Sequence, residues 1–91
     1  MTDHISLNRL KVGQSLRVCT VGGAEPMRRR LEDLGLIAGT EVTCLLASPL
    51  GDPRAYRIRG AVIALRSEDA ETVKGTCLPA EAIHQGVSIW A

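Results

Sequence analysis

The segment 48–53, Ser-Pro-Leu-Gly-Asp-Pro, restricts the fold of this chain more than any other stretch. Its two prolines remove two backbone N–H donors, and Gly51 permits a positive φ. Neither a helix nor a central strand can therefore run through the segment. We expect a loop here, followed at once by a strand.

A β-hairpin is predicted directly after this loop. Apolar residues alternate with arginines up to Arg59, and the apolar alternation resumes in the opposite phase at Ile63. A two-residue turn at 60–61 reconciles the two phases, and Gly60 suits the first central position of a type II′ turn. The predicted pairs are Arg59 with Val62, Ile58 with Ile63, and Tyr56 with Leu65. Apolar side chains would then share one face of the hairpin and the arginines the other.

Further strands are predicted on both sides of the hairpin. β-rich residues predict a first strand at 16–21 and a second at Glu41–Ala47. After the hairpin, Ser67 is a suitable N-cap for a single turn of 3₁₀ helix. A short strand at 72–74 is expected to end at Gly75.

A short helix is predicted at 26–34. Pro26 suits its first position, where the missing N–H costs nothing, and Gly35 suits its end. Met27, Leu31 and Leu34 recur at helical spacing and form one apolar stripe. On the opposite side, the expected i,i+4 ion pairs are Arg28 with Glu32 and Arg29 with Asp33.

Length and composition indicate one small mainly β domain. The chain has 91 residues, 45% of them hydrophobic but only 2% aromatic, so its core must consist of aliphatic side chains. About five short strands, one short α-helix and a 3₁₀ turn favour a small, partly open β-barrel, because closing a sheet protects its edges.

The same numbers exclude several functional classes. A net charge of +1 gives no basic field for nucleic acid, and no apolar run is long enough for insertion into a membrane. Three widely spaced cysteines indicate neither a disulfide framework nor a cysteine-rich zinc site. No nucleophile motif or phosphate-binding loop is present, so we expect a cytoplasmic protein that is not an enzyme.

Three stretches together resemble the FeoA family of bacterial ferrous iron uptake. They are 30–42 (Arg-Leu-Glu-Asp-Leu-Gly-Leu-Ile-Ala-Gly-Thr-Glu-Val), 48–53, and 59–66 followed by Glu-Asp-Ala at 68–70. The resemblance implies an SH3-like β-barrel at 1–75. It does not extend to the tail 76–91, whose own residues indicate a short helix and an extended end. It also implies an accessory protein that binds and modulates the membrane iron permease FeoB. A similar domain ends some metal-dependent repressors, so a free regulatory module is a related interpretation.

A metal-responsive switch is the alternative from another functional class. Glu81 and His84 would place a carboxylate and an imidazole on one face of a short helix. Two ligands leave an iron or zinc ion half coordinated, so such a site would need a second chain, as in a homodimer. A solvated short helix without a metal or any other cofactor is the simpler interpretation.

The candidate partner-binding residues lie on the helix, the loop and the hairpin. They are Leu50, Arg57, Arg59, Arg28 and Arg29. Arginine is enriched at interfaces, and an apolar tip between prolines could anchor a partner. The alternatives are that the charges only solubilise the chain and, as the commoner outcome, that Leu50 is tucked under its loop.

Overall fold

A single antiparallel sheet of six strands organises the structure, a computed structural model that describes residues 4–79. The elements in chain order are β1 (Ile5–Ser6), a 3₁₀ turn (Leu7–Arg9), β2 (Ser15–Val21), α1 (Glu25–Asp33), β3 (Glu41–Ala47), β4 (Arg54–Ile58), β5 (Ala61–Leu65), α2 (Ser67–Ala70) and β6 (Val73–Cys77). The strands lie in the order β1-β6-β2-β3-β4-β5. The prediction of a mainly β fold is therefore confirmed, with six strands in place of about five.

The sheet is open within residues 4–79. Its edge strands β1 and β5 are not hydrogen-bonded to each other, so the prediction of a barrel is wrong in this respect. Side chains from outside the sheet complete the core: Leu7, Leu10, Leu31, Leu36 and Ala70 are all buried with the inward side chains of the strands. These residues exclude water from the inner face, while the outer edges of β1 and β5 have no strand partner within residues 4–79.

The hairpin turn lies one residue earlier than predicted. Its central residues are Arg59 and Gly60, and both have positive φ (51° and 84°), as in a type I′ turn. Ile58 pairs with Ala61 and Tyr56 with Ile63. Each residue of β5 therefore pairs with a β4 residue two positions before the predicted one, which leaves the faces of the strands unchanged. Tyr56 and Ile58 are buried, but Ile63 is only half-buried.

The last strand continues through the glycine that was expected to end it. Gly75 lies in the middle of β6, between Ile5 on β1 and Val18 on β2. The preceding turn α2 is α-helical, because the N–H groups of Ala70 and Glu71 bond to carbonyls four residues earlier. The 3₁₀ turn lies instead at Leu7–Arg9.

Helix α1 covers the core as its apolar stripe predicts. Leu31 is buried, and Met27 and Leu34 pack against the core from half-buried positions. Gly35 has a φ of 110° and ends the helix, and the N–H of Leu36 returns to the carbonyl of Leu31.

Candidate partner-binding surface

The loop 48–53 between β3 and β4 holds Leu50 away from the protein. Leu50 is 94% exposed, so the expectation that the loop buries it is wrong. The loop is closed by its own backbone hydrogen bonds, from Gly51 N–H to Ser48 O (2.8 Å) and from Ser48 N–H to Pro53 O (3.2 Å). Leu50 is therefore an apolar side chain on a backbone that is already ordered, which lowers the entropy cost of binding through it.

Asp52 ties the same loop to α2. Its Oδ1 accepts a hydrogen bond from the backbone N–H of Ser67, the first residue of α2, at 2.8 Å. A carboxylate at this position satisfies an N–H that the helix leaves unpaired and lies at the positive end of the helix. The prediction of Ser67 as the N-cap is wrong: the capping side chain comes from a loop 15 residues earlier.

The two hairpin arginines are exposed but lie in different surroundings. Arg57 lies on the outer face of the sheet, in register with Thr43 on β3 and Val62 on β5. The stem of Arg59 lies against Gly35, where an added Cβ would come within 2.7 Å of the Arg59 Cδ. Leu50 and Arg59 lie beyond opposite ends of β4, whose five residues span about 17 Å. Leu50 and Arg59 therefore do not belong to one compact patch.

The helix arginines are paired with a different carboxylate from the ones predicted. Arg28 and Arg29 both contact Glu25, at 2.5 and 3.5 Å, instead of Glu32 and Asp33. Glu25 can reach both because they lie three and four residues after it on the same helix face. Arg28 and Arg29 thus share one countercharge in the first turn of α1.

An exposed apolar face on the neighbouring strands β3, β4 and β5 was not predicted from the sequence. Leu46 is 59% exposed and Val62 is 64% exposed. Register places Leu46 beside Ala55 on β4 and, through it, Ala64 on β5. We call this surface the hairpin face; its residues are Leu46, Ala55, Arg57, Val62 and Ala64.

A β-bulge places Leu46 on the hairpin face. The register of β3 shifts between Cys44 and Leu46, so one extra residue separates two ladder positions. Without the bulge, Leu46 would face inward with Val42 and Cys44, which are both fully buried. Because β3 is apolar on both faces, the alternation could not reveal this, and only the two consecutive leucines at 45–46 could have hinted at it.

Two other side chains on β4 hold the N-terminal segment in place. The Arg54 Nη1 donates to the backbone carbonyl of Leu10, and the Tyr56 hydroxyl donates to that of Leu7 at 3.5 Å. Burial raises the pKa of Tyr56 above its ordinary value of 10.0, and the neighbouring Cys44 raises it further, while Arg54 lowers it. Arg54 therefore serves the fold, whereas Arg57 has no ion-pair partner among residues 4–79.

No group of three or more metal-ligating side chains lies within residues 4–79. The predicted pair Glu81 and His84 lies outside the described residues, so a shared metal site there stays a prediction. In the described part of the chain, no helix is both long and apolar enough to cross a membrane.

Comparison with known proteins identifies the family. The FeoA domain matches residues 5–76. A fusion protein of Fe(2+) transport protein A and the Fe(2+) transporter FeoB from Porphyromonas gingivalis is 32% identical over 68 residues. That match covers 75% of this chain but only 8% of the fusion protein's length.

Two solved structures share the fold. A FeoA-like protein from Clostridium acetobutylicum is 32% identical, with a TM-score of 0.80 over 87% of this chain and 92% of that one. The zinc complex of FeoA from Stenotrophomonas maltophilia, described as a prokaryotic SH3 domain protein, is 29% identical, with a TM-score of 0.68 over 76% of this chain and 86% of that one. The chain therefore belongs to the FeoA family and has the SH3-like fold of that relative.

Proposed function

We propose that this chain is a cytoplasmic, non-enzymatic accessory protein that binds the cytoplasmic part of the ferrous iron permease FeoB and modulates it. The observation that carries the proposal is the 94% exposure of Leu50 on an ordered loop. Exposed large apolar side chains next to charged ones are typical of protein interaction sites. The fusion of a FeoA segment with FeoB in the Porphyromonas relative supports this choice of partner.

The hairpin face would extend the contact beyond Leu50. Leu46 and Val62 offer exposed apolar area, and Arg57 lies beside Val62 without an ion-pair partner among residues 4–79. The apolar groups would supply affinity through burial, whereas Arg57 would steer an acidic partner surface.

Replacement of Leu50 by Asp tests the anchor. Leu50→Asp is expected to weaken binding to the purified cytoplasmic part of FeoB from the same organism by about tenfold or more, at low and high salt alike. Because Leu50 has almost no contacts of its own, the circular dichroism spectrum and thermal midpoint should not change. The affinity can be measured by calorimetry.

The matched control is Ile37→Asp, which adds the same charge at another exposed aliphatic residue, 44% exposed and near Arg59 at the far end of β4. It should bind like the parent. Equal affinity of Leu50→Asp and the parent would reject Leu50 as the anchor. Absence of binding by the parent would reject FeoB as the partner.

Replacement of Arg57 by Ala tests the steering role. Arg57→Ala is expected to slow association several-fold at low ionic strength and to have little effect once salt screens the charge, because the Debye length falls to about 8 Å at physiological salt. Stopped-flow association rates at several salt concentrations measure this. A uniform rise in the dissociation rate at every salt concentration would instead make Arg57 a direct contact.

A further inference from the structure

A groove of about 380 Å³ runs between α1 and the edge strand β5. Its apolar lining comes from Met27, Leu31 and Leu34 of the helix and from residues 63–65 of the strand. Met27, Leu34 and Ile63 are only half-buried, so additional apolar side chains could still be buried against them. Nothing among residues 4–79 fills this groove.

The strand beside the groove has unpaired backbone groups. Ile58 and Ala61 flank the two-residue turn and form a hydrogen-bonded pair, and such pairs alternate along an antiparallel ladder. The backbone groups of Ile63 therefore point toward β4, whereas those of Val62 and Ala64 point to the free edge. No strand among the described residues pairs with that edge.

Edge strands with free backbone groups attract further strands, and proteins usually protect them with charge, proline or a bulge. The side chains of β5, Ala-Val-Ile-Ala-Leu, provide none of these. A strand added here would place alternate side chains in the groove, beside Ile63 and α1, and the others on the hairpin face, beside Val62.

The rim of the groove is cationic. Arg30 and Arg66 line it, are exposed, and make no ion pair within residues 4–79. One carboxylate, Asp69, lies in the same lining. A second copy of β5 would bring the same excess of arginine over carboxylate to the contact, so charge favours an acidic occupant over a second copy.

We infer that the groove receives an extended acidic segment of the partner, which adds to β5 as a further strand. Its backbone would bond to Val62 and Ala64, its groove-facing side chains would be apolar, and at least one carboxylate would meet Arg30 or Arg66. The inference rests on the proposed function and specifies where FeoB's cytoplasmic part makes contact.

Proline at Val62 tests the backbone contact. Val62→Pro removes an N–H that points away from β4, so the hairpin ladder stays complete, and proline is tolerated at such edge positions. Val62→Thr is the matched variant, because it keeps the N–H and the β-branched shape. The proline variant is expected to bind the cytoplasmic part of FeoB about tenfold more weakly than the threonine variant.

Charge reversal and hydrogen exchange keep the test decisive if the proline variant fails to fold. Arg30→Glu with Arg66→Glu should lose at least tenfold in affinity, whereas Arg9→Glu, on the 3₁₀ turn, should not. The amide protons of Val62 and Ala64 should exchange more slowly in the complex than in the free chain. Binding without this protection, or with charge-reversed variants that bind like the parent, would overturn the inference.

A synthetic probe separates this inference from the identity of the partner. If the parent does not bind FeoB, the proposed function fails. Strand addition at the groove is then tested separately with a peptide of alternating valine and threonine that carries an aspartate at one end. This peptide is added to the isotope-labelled chain. Selective shifts of the Val62 and Ala64 amide signals, absent with a lysine-ended peptide, would support strand addition. No shift at high peptide concentration would overturn it.

Discussion

At the scale of single residues, Gly75 tolerates a side chain least among the glycines of residues 4–79. A Cβ there would lie 2.0 Å from the backbone carbonyl oxygen of Arg17, and backbone in the centre of a sheet cannot move aside. The bulge between Val18 and Thr20 disturbs the ladder at this point and accompanies the close approach. Gly75→Ala is therefore expected to lower the free energy of unfolding by about 3 kcal/mol or more, measured by urea denaturation.

The matched control for this prediction is Gly22→Ala. Gly22 does not have a positive φ, and its added Cβ would lie 3.6 Å from the nearest atom, which is ordinary contact. This variant should stay within about 0.5 kcal/mol of the parent. If both variants unfold at the same urea concentration, β6 does not approach β2 as closely as described.

At the scale of elements, α2 depends on a loop distant in sequence. The carboxylate of Asp52 accepts the Ser67 N–H, and α2 contains only four residues. A helix this short cannot persist by itself, so tertiary contacts must hold it. Asp52→Ala is expected to cost about 1 kcal/mol of unfolding free energy and to speed amide exchange in α2. Asp52→Asn, which keeps an acceptor oxygen, should cost less; equal losses would show that charge, and not the hydrogen bond, matters.

At the scale of the whole molecule, the protein should lose stability in strongly alkaline solution through its only tyrosine. Burial raises the pKa of Tyr56 above its ordinary value of 10.0, so the fold favours the neutral phenol. This stability is fully present below pH 10.0 and is lost as the pH rises from there through the higher pKa of the folded state.

Tyr56→Phe isolates this effect, because it removes the titrating group and keeps the ring. Between one pH unit below and one above the ordinary tyrosine pKa, the unfolding free energy of the parent should fall more steeply than that of the variant. Absorbance of the tyrosinate reports the pKa directly. An equal slope in both proteins, with an unshifted tyrosinate titration, would contradict the burial of Tyr56.

The amino-acid sequence by itself determined the local elements of this protein. The stripe of α1, the bounds of the strand Glu41–Ala47 and the presence of a hairpin after the loop follow from periodicity, β-propensity and turn chemistry, which act over a few residues. The order and spacing of three stretches also indicated the family. The loop 48–53 was predicted for the same reason, since its prolines and glycine restrict the backbone locally.

Only the tertiary structure decided where these elements meet. The bulge that exposes Leu46 and the carboxylate that caps α2 both depend on contacts between residues far apart in the chain. The fit of Gly75 against β2 has the same origin. Periodicity shows which side chains share a face of one strand. It does not show which strand lies beside it, or in which register, because cross-strand packing sets both.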